Sequence, residues 1–254
     1  MVRSITPHVL GRTILDVEIN SHRVTRGDFS KTIVGLRKRQ IKAVRRQGKQ
    51  IFFELDRGIL YFHLGMTGKL LWNGVRSKYA RAVFHLDSGT LIFDDVRQFG
   101  RAEFFSAMPE FLLRTGPDAL TIGFAEFFER LRQRSGHIKP LLLNQTFIGG
   151  VGNIYADESL FAARIHPRAS ARRISKKRAE ELHRNVVEIL RLAIRHRGSS
   201  ISNYVDAEGA SGSYQQQHNV YGRAGKPCPR CGTPIRRIVL GQRGTHYCPR
   251  CQRP

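Results

Sequence analysis

The four cysteines of the sequence stand in two identically spaced pairs. Cys228 and Cys231 enclose two residues, sixteen residues follow, and Cys248 and Cys251 repeat the spacing. This arrangement matches a tetrahedral zinc site made of four thiolates. Two disulfides or a redox pair are the alternatives, but the chain reads as intracellular and no strand–helix–strand pattern surrounds the pairs. We therefore expect one structural Zn²⁺, since four thiolates leave no open position for water.

A basic side chain lies between the two cysteine pairs. The segment RRIVLGQRGTHY, residues 236–247, predicts a hairpin with its turn near Gly241 to Gly244. Such a turn presents Arg243 outward. A surface arginine is usually only solvated, but on a zinc-stabilised hairpin of a strongly basic protein we favour a contact with phosphate.

The glycine-rich stretch GGVGN, residues 149–153, interrupts a helical region. It lacks the third glycine of a dinucleotide-binding fingerprint, and no Gly-Lys-Ser/Thr follows it. It predicts the start of a new helix whose N–H groups lie free beside Asn153, and such a helix start binds phosphate. Lys139 would add a point charge there, whereas Glu158 suits a capping or bracing role. An ordinary helical hairpin with a glycine turn fits this stretch equally well.

The periodicity of the chain changes near residue 115. Before it, short alternating apolar runs such as TILDVEI, QIFFEL and ILYFHL predict antiparallel strands. After residue 117, AEFFERLRQR and AEELHRNVVEILRLAIRHRG have the period of helices. The pattern predicts an α+β protein of several domains: a β-sandwich or barrel over residues 1–115, a helical domain over 116–217 and a small cysteine module over 218–254.

The charge of the chain indicates its partner. There are 43 Lys+Arg against 20 Asp+Glu, a net charge of +23 that is typical of proteins binding a polyanion. Nucleic acid is favoured over a membrane surface, because no run of about 18 apolar residues is present. The basic residues occur in every region rather than in one tail. The start MVRSITPHVLGR lacks the apolar segment of a signal peptide, so we expect a cytoplasmic protein.

Several segments together resemble one family. GGVGNIYADESLFAARIHP is similar to the helix–two-turns–helix signature of the formamidopyrimidine-DNA glycosylase and endonuclease VIII family. Further similar segments follow the family order: RRQGKQIFFEL, HLGMTGKL, DDVRQFGRAEFF, IKPLLLNQ, VYGRAGKPC and GQRGTHYC. The resemblance covers nearly the whole chain. It implies an N-terminal β-sandwich, a helical domain and a zinc finger in a monomeric enzyme. That enzyme excises oxidised bases from duplex DNA and cuts the strand at the abasic site by β,δ-elimination.

The resemblance assigns a group of side chains to the gap left by the target base. A glycosylase rotates this base out of the duplex, and the gap must be filled. Met66, Arg97 and Phe99 are implied as fillers: a flexible thioether, a guanidinium for the orphaned base and an aromatic wedge. This set favours the formamidopyrimidine branch, and hence oxidised purines such as 8-oxoguanine. Without the motifs, Met66 and Phe99 would be taken for core residues.

The resemblance also implies catalytic and DNA-binding residues. Lys49 aligns with the lysine of the active-site pocket, and Arg243 with the finger arginine that assists elimination and holds phosphate. The side chains expected to hold the DNA backbone are Arg134, Lys139 and Asn153. Tyr79 stands where many members have a histidine at the DNA surface.

The resemblance is incomplete at the amino terminus. Family members begin with a proline, whose amine attacks the sugar C1′, and a glutamate that supplies the acid. This sequence starts at Met1, within what resembles the first helix of the family, and the nitrogen of Pro7 lies in a peptide bond. Lys49 is a weak substitute, because an unperturbed lysine is neutral in roughly one molecule in 2,500 at pH 7, against roughly one in ten for an α-amine.

Two hypotheses explain why the sequence starts within the first helix of the family. A third hypothesis does not depend on where the sequence starts. We favour a true start roughly eight to ten residues upstream, since the other site residues are present. The alternative is a non-catalytic short form that binds damaged DNA without cutting it. A zinc-ribbon interaction protein unrelated to repair is the third hypothesis, and it predicts no binding to duplex DNA even at low salt.

Overall fold

The computed structural model describes residues 1–25, 28–200 and 205–253, and the chain divides into two units. The first unit comprises Met1–Arg114 and Arg197–Ser213, and the second comprises Thr115–His196 and Tyr214–Pro254. The strands predicted before residue 115 lie in the first unit. The second joins the predicted helices to the cysteine module. The predicted limits of three domains, at residues 115 and 217, stay predictions.

The first unit is built on an eight-stranded antiparallel sheet with the strand order β5-β7-β6-β1-β2-β3-β4-β8. The strands are β1 (Thr13–Ile19), β2 (Arg39–Gln47), β3 (Gln50–Leu55), β4 (Ile59–His63), β5 (Lys69–Trp72), β6 (Ala80–Leu86), β7 (Thr90–Asp94) and β8 (Arg101–Phe105). Most strands carry the β-branched and aromatic residues that favour a pleated, half-buried surface.

The sheet folds into two layers of four strands. β1 and β2 pair over only two residues of each strand, so the sheet turns at this point. The ring of Phe62 on β4 lies 5.5 Å from that of Phe84 on β6 and 5.9 Å from that of Phe93 on β7. Each of these rings is almost fully buried, which stabilises the core by about 1.5–3 kcal/mol per side chain. The predicted β-sandwich is therefore confirmed.

Among the residues of the first unit that the structure describes, three α-helices and a later chain segment complete it. The helices are α1 (Val2–Val9), α2 (Phe29–Leu36) and α3 (Glu110–Leu113). α2 packs so closely on β8 that a Cβ at Gly35 would overlap the ring of Phe104. Ala207 is fully buried against this unit: its N–H donates to the Ser4 hydroxyl at 3.2 Å, and its carbonyl accepts from the N–H of Trp72 at 2.9 Å.

Within its described residues, the second unit contains four α-helices and the cysteine module. The helices are α4 (Phe124–Arg132), α5 (Ile138–Leu143), α6 (Asn153–Ala162) and α7 (Lys176–Arg195), and the module adds the strands β9 (Arg236–Leu240) and β10 (Arg243–Tyr247). The hydroxyl of Ser175 caps α7 by accepting from the N–H of Arg178. Among the described residues, no helix combines the length and apolar character needed to cross a membrane.

Two imidazoles make the stability of the second unit depend on pH. Burial lowers the pKa of His166 and of His218 below the ordinary value of about 6.5. The unfolded chain then binds protons more readily than the folded chain, so stability is complete above about pH 6.5 and decreases as the pH falls below it. We expect the thermal midpoint, measured by circular dichroism, to fall less steeply between about pH 7.5 and 5.5 in His166→Asn than in the wild type. Equal slopes would contradict this origin.

Candidate nucleic-acid interface

The four cysteines of the second unit converge on one point. The Sγ atoms of Cys228 and Cys251 are 3.9 Å apart, those of Cys231 and Cys248 are 3.5 Å apart, and all four lie within 4.8 Å of one another. A tetrahedral zinc with Zn–S bonds of about 2.3 Å places its sulfurs about 3.8 Å apart, so the donor set fits this ion. The N–H of Arg230 donates to the sulfur of Cys228 at 3.4 Å.

The zinc module is anchored to the end of α6. Phe161 of α6 packs with Cys228 and Cys248 in one buried cluster. The guanidinium of Arg230 lies 4.5 Å from the ring centre of Phe161 and donates to its carbonyl at 2.9 Å. Glu158 accepts from the N–H groups of residues 219, 220 and 221 at 2.8–2.9 Å. The predicted bracing role of Glu158 is confirmed.

The hairpin of the module presents Arg243 at its tip. Arg243 pairs with Leu240 across a two-residue turn in which Gly241 and Gln242 have φ values of 56° and 60°. This is the primed turn that joins antiparallel strands most tightly. Arg243 is exposed, and so is Arg134, which follows α4. Both guanidinium groups are therefore available to an anionic partner.

The glycine stretch forms the start of α6, as the sequence predicts. Gly150 has φ 107°, and Gly152 precedes the helix. Neither a side-chain cap nor an acidic residue occupies the first turn, which leaves the positive end of the helix dipole available to an anion. The side chain of Gln145 braces the turn, accepting from the N–H of Gly150 and donating to the carbonyl of Val151.

Asn153 and Lys139 both turn towards the hairpin. The Asn153 amide, half-buried, donates to the carbonyl of Gly244 at 3.0 Å. Lys139 has no exposed surface, and its Nζ lies 2.6 Å from the Asp157 carboxylate. Burial lowers the pKa of Lys139, and the charge of Asp157 opposes that shift. This placement does not support the predicted contact of Lys139 with phosphate, because its ammonium group is not at the surface.

The three predicted filler side chains form one exposed group in the first unit. Met66 and Phe99 are 60% and 54% exposed, although apolar side chains of this size are usually buried. The Arg97 guanidinium lies 4.7 Å from the ring centre of Phe99 and donates to the Met66 sulfur at 3.3 Å. The structure thus brings together the side chains that the family resemblance singled out.

A buried carboxylate holds the two turns that carry this group. Asp95 is fully buried and accepts from the Thr67 hydroxyl, from the N–H of Arg97 at 3.3 Å and from the N–H of Gly100 at 2.8 Å. Gly65, at φ 60°, allows the turns to approach, because a Cβ there would lie 2.9 Å from the backbone of residues 99 and 100. The backbone, rather than the exposed side chains, therefore sets the position of the group.

Lys49 lies at the same end of the sheet as the filler group. It occupies the two-residue turn between β2 and β3, where Gln47 pairs with Gln50. Gln50 pairs with His63 at the end of β4, and His63 pairs with Arg101 at the start of β8. The turn of Lys49, the segment after His63 that carries Met66 and the segment before Arg101 that carries Arg97 thus meet at one edge. Lys49 is exposed there.

Tyr79 is connected to the same framework. Its carbonyl accepts from the N–H of Asp95 at 3.0 Å. Arg81 lies 5.7 Å from the centre of its ring and donates to the carbonyl of Asp95 at 2.7 Å. Tyr79 is half-buried, and its DNA contact stays a prediction.

Asp95 and Asp157 are the important residues that the sequence analysis missed. Both lie within segments that resemble the family, DDVRQFG and ADES, so their position alone was a signal. Their partners were not visible, because Asp157 joins residues 18 positions before it and 89 positions after it. The spacing of residues within a short segment of the sequence does not indicate such long-range contacts.

Comparisons with known proteins agree with this arrangement. Residues 1–102 match the formamidopyrimidine-DNA glycosylase N-terminal domain, residues 115–205 match its H2TH domain, and residues 225–254 match a zinc finger found in FPG and IleRS. A formamidopyrimidine-DNA glycosylase of Solibacter usitatus is 49% identical over 100% of this chain and 96% of its own length. One of Desulforamulus reducens is 40% identical, with the same coverage of both chains.

Solved structures of the same family are also similar. The MutM (FPG) protein of Thermus thermophilus superposes with a TM-score of 0.90 at 38% identity, covering 99% of this chain and 95% of that chain. A Lactococcus lactis FPG variant in complex with Fapy-dG containing DNA has a TM-score of 0.92 at 35% identity, covering 100% and 97%.

A β-sandwich, a helix–two-turns–helix region and a four-cysteine zinc module define a zinc-finger protein of the H2TH class. The family matches extend along nearly the whole chain, and relatives of 40–49% identity cover all of it. The chain belongs to the formamidopyrimidine-DNA glycosylase family.

Proposed function

We propose that this protein is a base-excision repair glycosylase that removes oxidised purines, 8-oxoguanine and formamidopyrimidines, from duplex DNA and then cuts the strand by β,δ-elimination. The exposed group of Met66, Arg97 and Phe99 is the observation that carries the proposal. The related structures named for complexes with Fapy-dG or 8-oxo-G containing DNA support it. A monomeric state and a cytoplasmic location remain predictions.

The filler group suits the gap left by an extruded base. Two large apolar side chains that are exposed to water in the free protein gain about 25 cal/mol per Å² when they are buried in the base stack. Arg97 supplies N–H donors for the base that has lost its partner, and its stacking on Phe99 restricts its conformations beforehand. Binding energy is thus available to offset the unstacking of the target base, which costs a few kcal/mol.

The second unit supplies contacts with phosphate. The uncapped start of α6, the exposed Arg134 and the exposed Arg243 are the groups that support this part of the proposal. For each phosphate contact, binding is about eightfold tighter at 0.1 M salt than at 1 M salt. We assign Lys49 to the active-site pocket and Arg243 to the elimination step, by the residues that they match in the family.

The chemistry is tested with a duplex that contains one 8-oxoguanine. The chain is assayed in its present form and with an amino-terminal Pro-Glu segment added, for base release, for borohydride trapping and for strand cleavage. We expect both forms to bind the duplex, and the form with the proline amine to give a trapped adduct and a nicked product. Binding without an adduct in either form would favour a non-catalytic damage-binding protein. Failure of both forms to bind at low salt would overturn the repair function.

Replacement of Arg97 by alanine tests the filler group separately. In the form that carries the amino-terminal Pro-Glu segment, we expect kcat/KM for 8-oxoguanine excision to fall at least about 10-fold, since hydrogen bonds made by a charged group contribute about 1.5–3 kcal/mol. The thermal midpoint should not change, because Arg97 is exposed. Lys42→Ala is a suitable control, as it removes another exposed cation. An unchanged kcat/KM in Arg97→Ala would remove Arg97 from the filler group.

A further inference from the structure

A buried ion pair links the two helices of the helix–two-turns–helix region to the zinc hairpin. Lys139 lies on α5 and Asp157 on α6, and both side chains have no exposed surface. The Lys139 Nζ donates to the Gly244 carbonyl at 2.9 Å and to the Thr245 hydroxyl at 2.8 Å, besides its 2.6 Å contact with Asp157. The ammonium group thus has two hydrogen-bond acceptors and one ion-pair partner.

Asp157 holds the same strand from its other oxygen. Its Oδ2 accepts from the N–H of His246 at 2.8 Å. Lys139 and Asp157 therefore hold three consecutive residues of β10, from Gly244 to His246. The carbonyl of Gly244 also accepts from the Asn153 amide at 3.0 Å, so the start of α6 is joined to the same point.

The contacts continue to the backbone of Arg243. The Thr245 hydroxyl, which accepts from Lys139, donates to the Arg243 carbonyl at 3.1 Å. Thr245 is fully buried, so this path is shielded from water. The side chain of Arg243 is exposed, whereas its backbone carbonyl is bound by the buried Thr245 hydroxyl.

We propose that Lys139 and Asp157 are positioning residues, which fix the register of β10 on α5 and α6 and thereby place Arg243 next to the phosphate-binding start of α6. This inference depends on the proposed function at one point, which is the contact of Arg243 with DNA. Neither residue of the pair touches DNA.

The alternative is an ion pair that contributes to stability alone. A buried pair is weak evidence for stability, because the removal of two charges from water costs several kcal/mol per ion and a well-packed apolar pair is often equally stable. The double variant Lys139→Met with Asp157→Leu therefore separates the two roles. It fills the same space without charge, and it removes the contacts to Gly244, Thr245 and His246.

The test measures binding to a duplex that contains a tetrahydrofuran abasic analogue, as a function of salt. Loss of one phosphate contact reduces the slope of log K against log salt by about 0.9. We expect Arg243→Ala and the apolar double variant each to reduce the slope by about this amount. The triple variant should show no further reduction, because the pair acts through Arg243. Thermal midpoints of all variants establish that they are folded.

Other outcomes would overturn the proposal. A wild-type slope in the folded apolar variant would show that the pair does not position Arg243. Additive losses in the triple variant would show that the pair acts independently of Arg243. Thr245→Val keeps the ion pair but removes the hydroxyl between Lys139 and the Arg243 carbonyl, so it gives a second test if the apolar variant does not fold. Wild-type protein that does not bind the duplex would refute the proposed function instead.

Discussion

Replacement of Cys248 by serine is expected to abolish tight binding to duplex DNA, and removal of zinc by a chelator should have the same effect. Cys248 is fully buried, and it lies in the cluster that joins the zinc module to Phe161 of α6. Structural zinc supplies about 10–16 kcal/mol to the folding of small zinc domains at pH 7, far more than a module of this size obtains from its core. Without the metal, the hairpin that carries Arg243 should unfold.

The expected loss of affinity exceeds that of any single arginine variant. For each phosphate contact, affinity is about eightfold higher at 0.1 M salt than at 1 M salt. Loss of the hairpin removes Arg243 together with the support that Gly244 receives from Lys139 and Asn153. We therefore expect affinity to fall by well over the about eightfold of one phosphate contact, which fluorescence anisotropy on a labelled duplex will measure.

The control for this experiment is Arg250→Ser, which changes an exposed side chain between the last two cysteines without removing a ligand. It should retain one zinc per chain and lose little affinity. Zinc content, measured with a colorimetric chelator, must fall in Cys248→Ser and not in the control. Unchanged DNA binding by the metal-free protein would contradict the role assigned to Arg243.

Asp95→Ala is expected to have the second-largest effect, on both stability and base excision. The buried carboxylate accepts from the Thr67 hydroxyl and from the N–H groups of Arg97 and Gly100. Its removal leaves the Thr67 hydroxyl and the N–H of Gly100 without this acceptor, at a cost of about 1–3 kcal/mol for each unsatisfied group. We expect the free energy of unfolding to fall by about 2–4 kcal/mol, measured by urea titration.

Excision should be affected more strongly than in Arg97→Ala. Asp95 holds the turn that follows Met66 as well as the turn that carries Arg97, so its loss displaces the whole filler group. Asp95→Asn keeps one carbonyl oxygen and should be intermediate. Asp16→Ala removes an exposed carboxylate paired with Arg37 and should change stability by less than about 1 kcal/mol. Wild-type stability and kcat/KM in Asp95→Ala would refute the role given to this carboxylate.

Two kinds of local information made most of the fold predictable. The alternation of apolar residues before residue 115 and the helical period after it reflect which face of each element is buried, and both were confirmed. The spacing of the four cysteines reflects the geometry of one metal ion, and the sulfurs do converge. Gly150, with φ 107°, was recognisable because only glycine takes such a conformation readily.

The sequence alone therefore determined the classes of element, the zinc ligands and the candidate filler residues, since each depends on short-range periodicity or on family motifs. Only the tertiary structure decided which cations face solvent: Arg134 and Arg243 are exposed, whereas Lys139 is buried against Asp157. It also revealed Asp95 as the support of the filler group. The physical reason is that the charge of a side chain is written in the sequence, but its burial and its partner depend on packing between residues as far apart as 139 and 244.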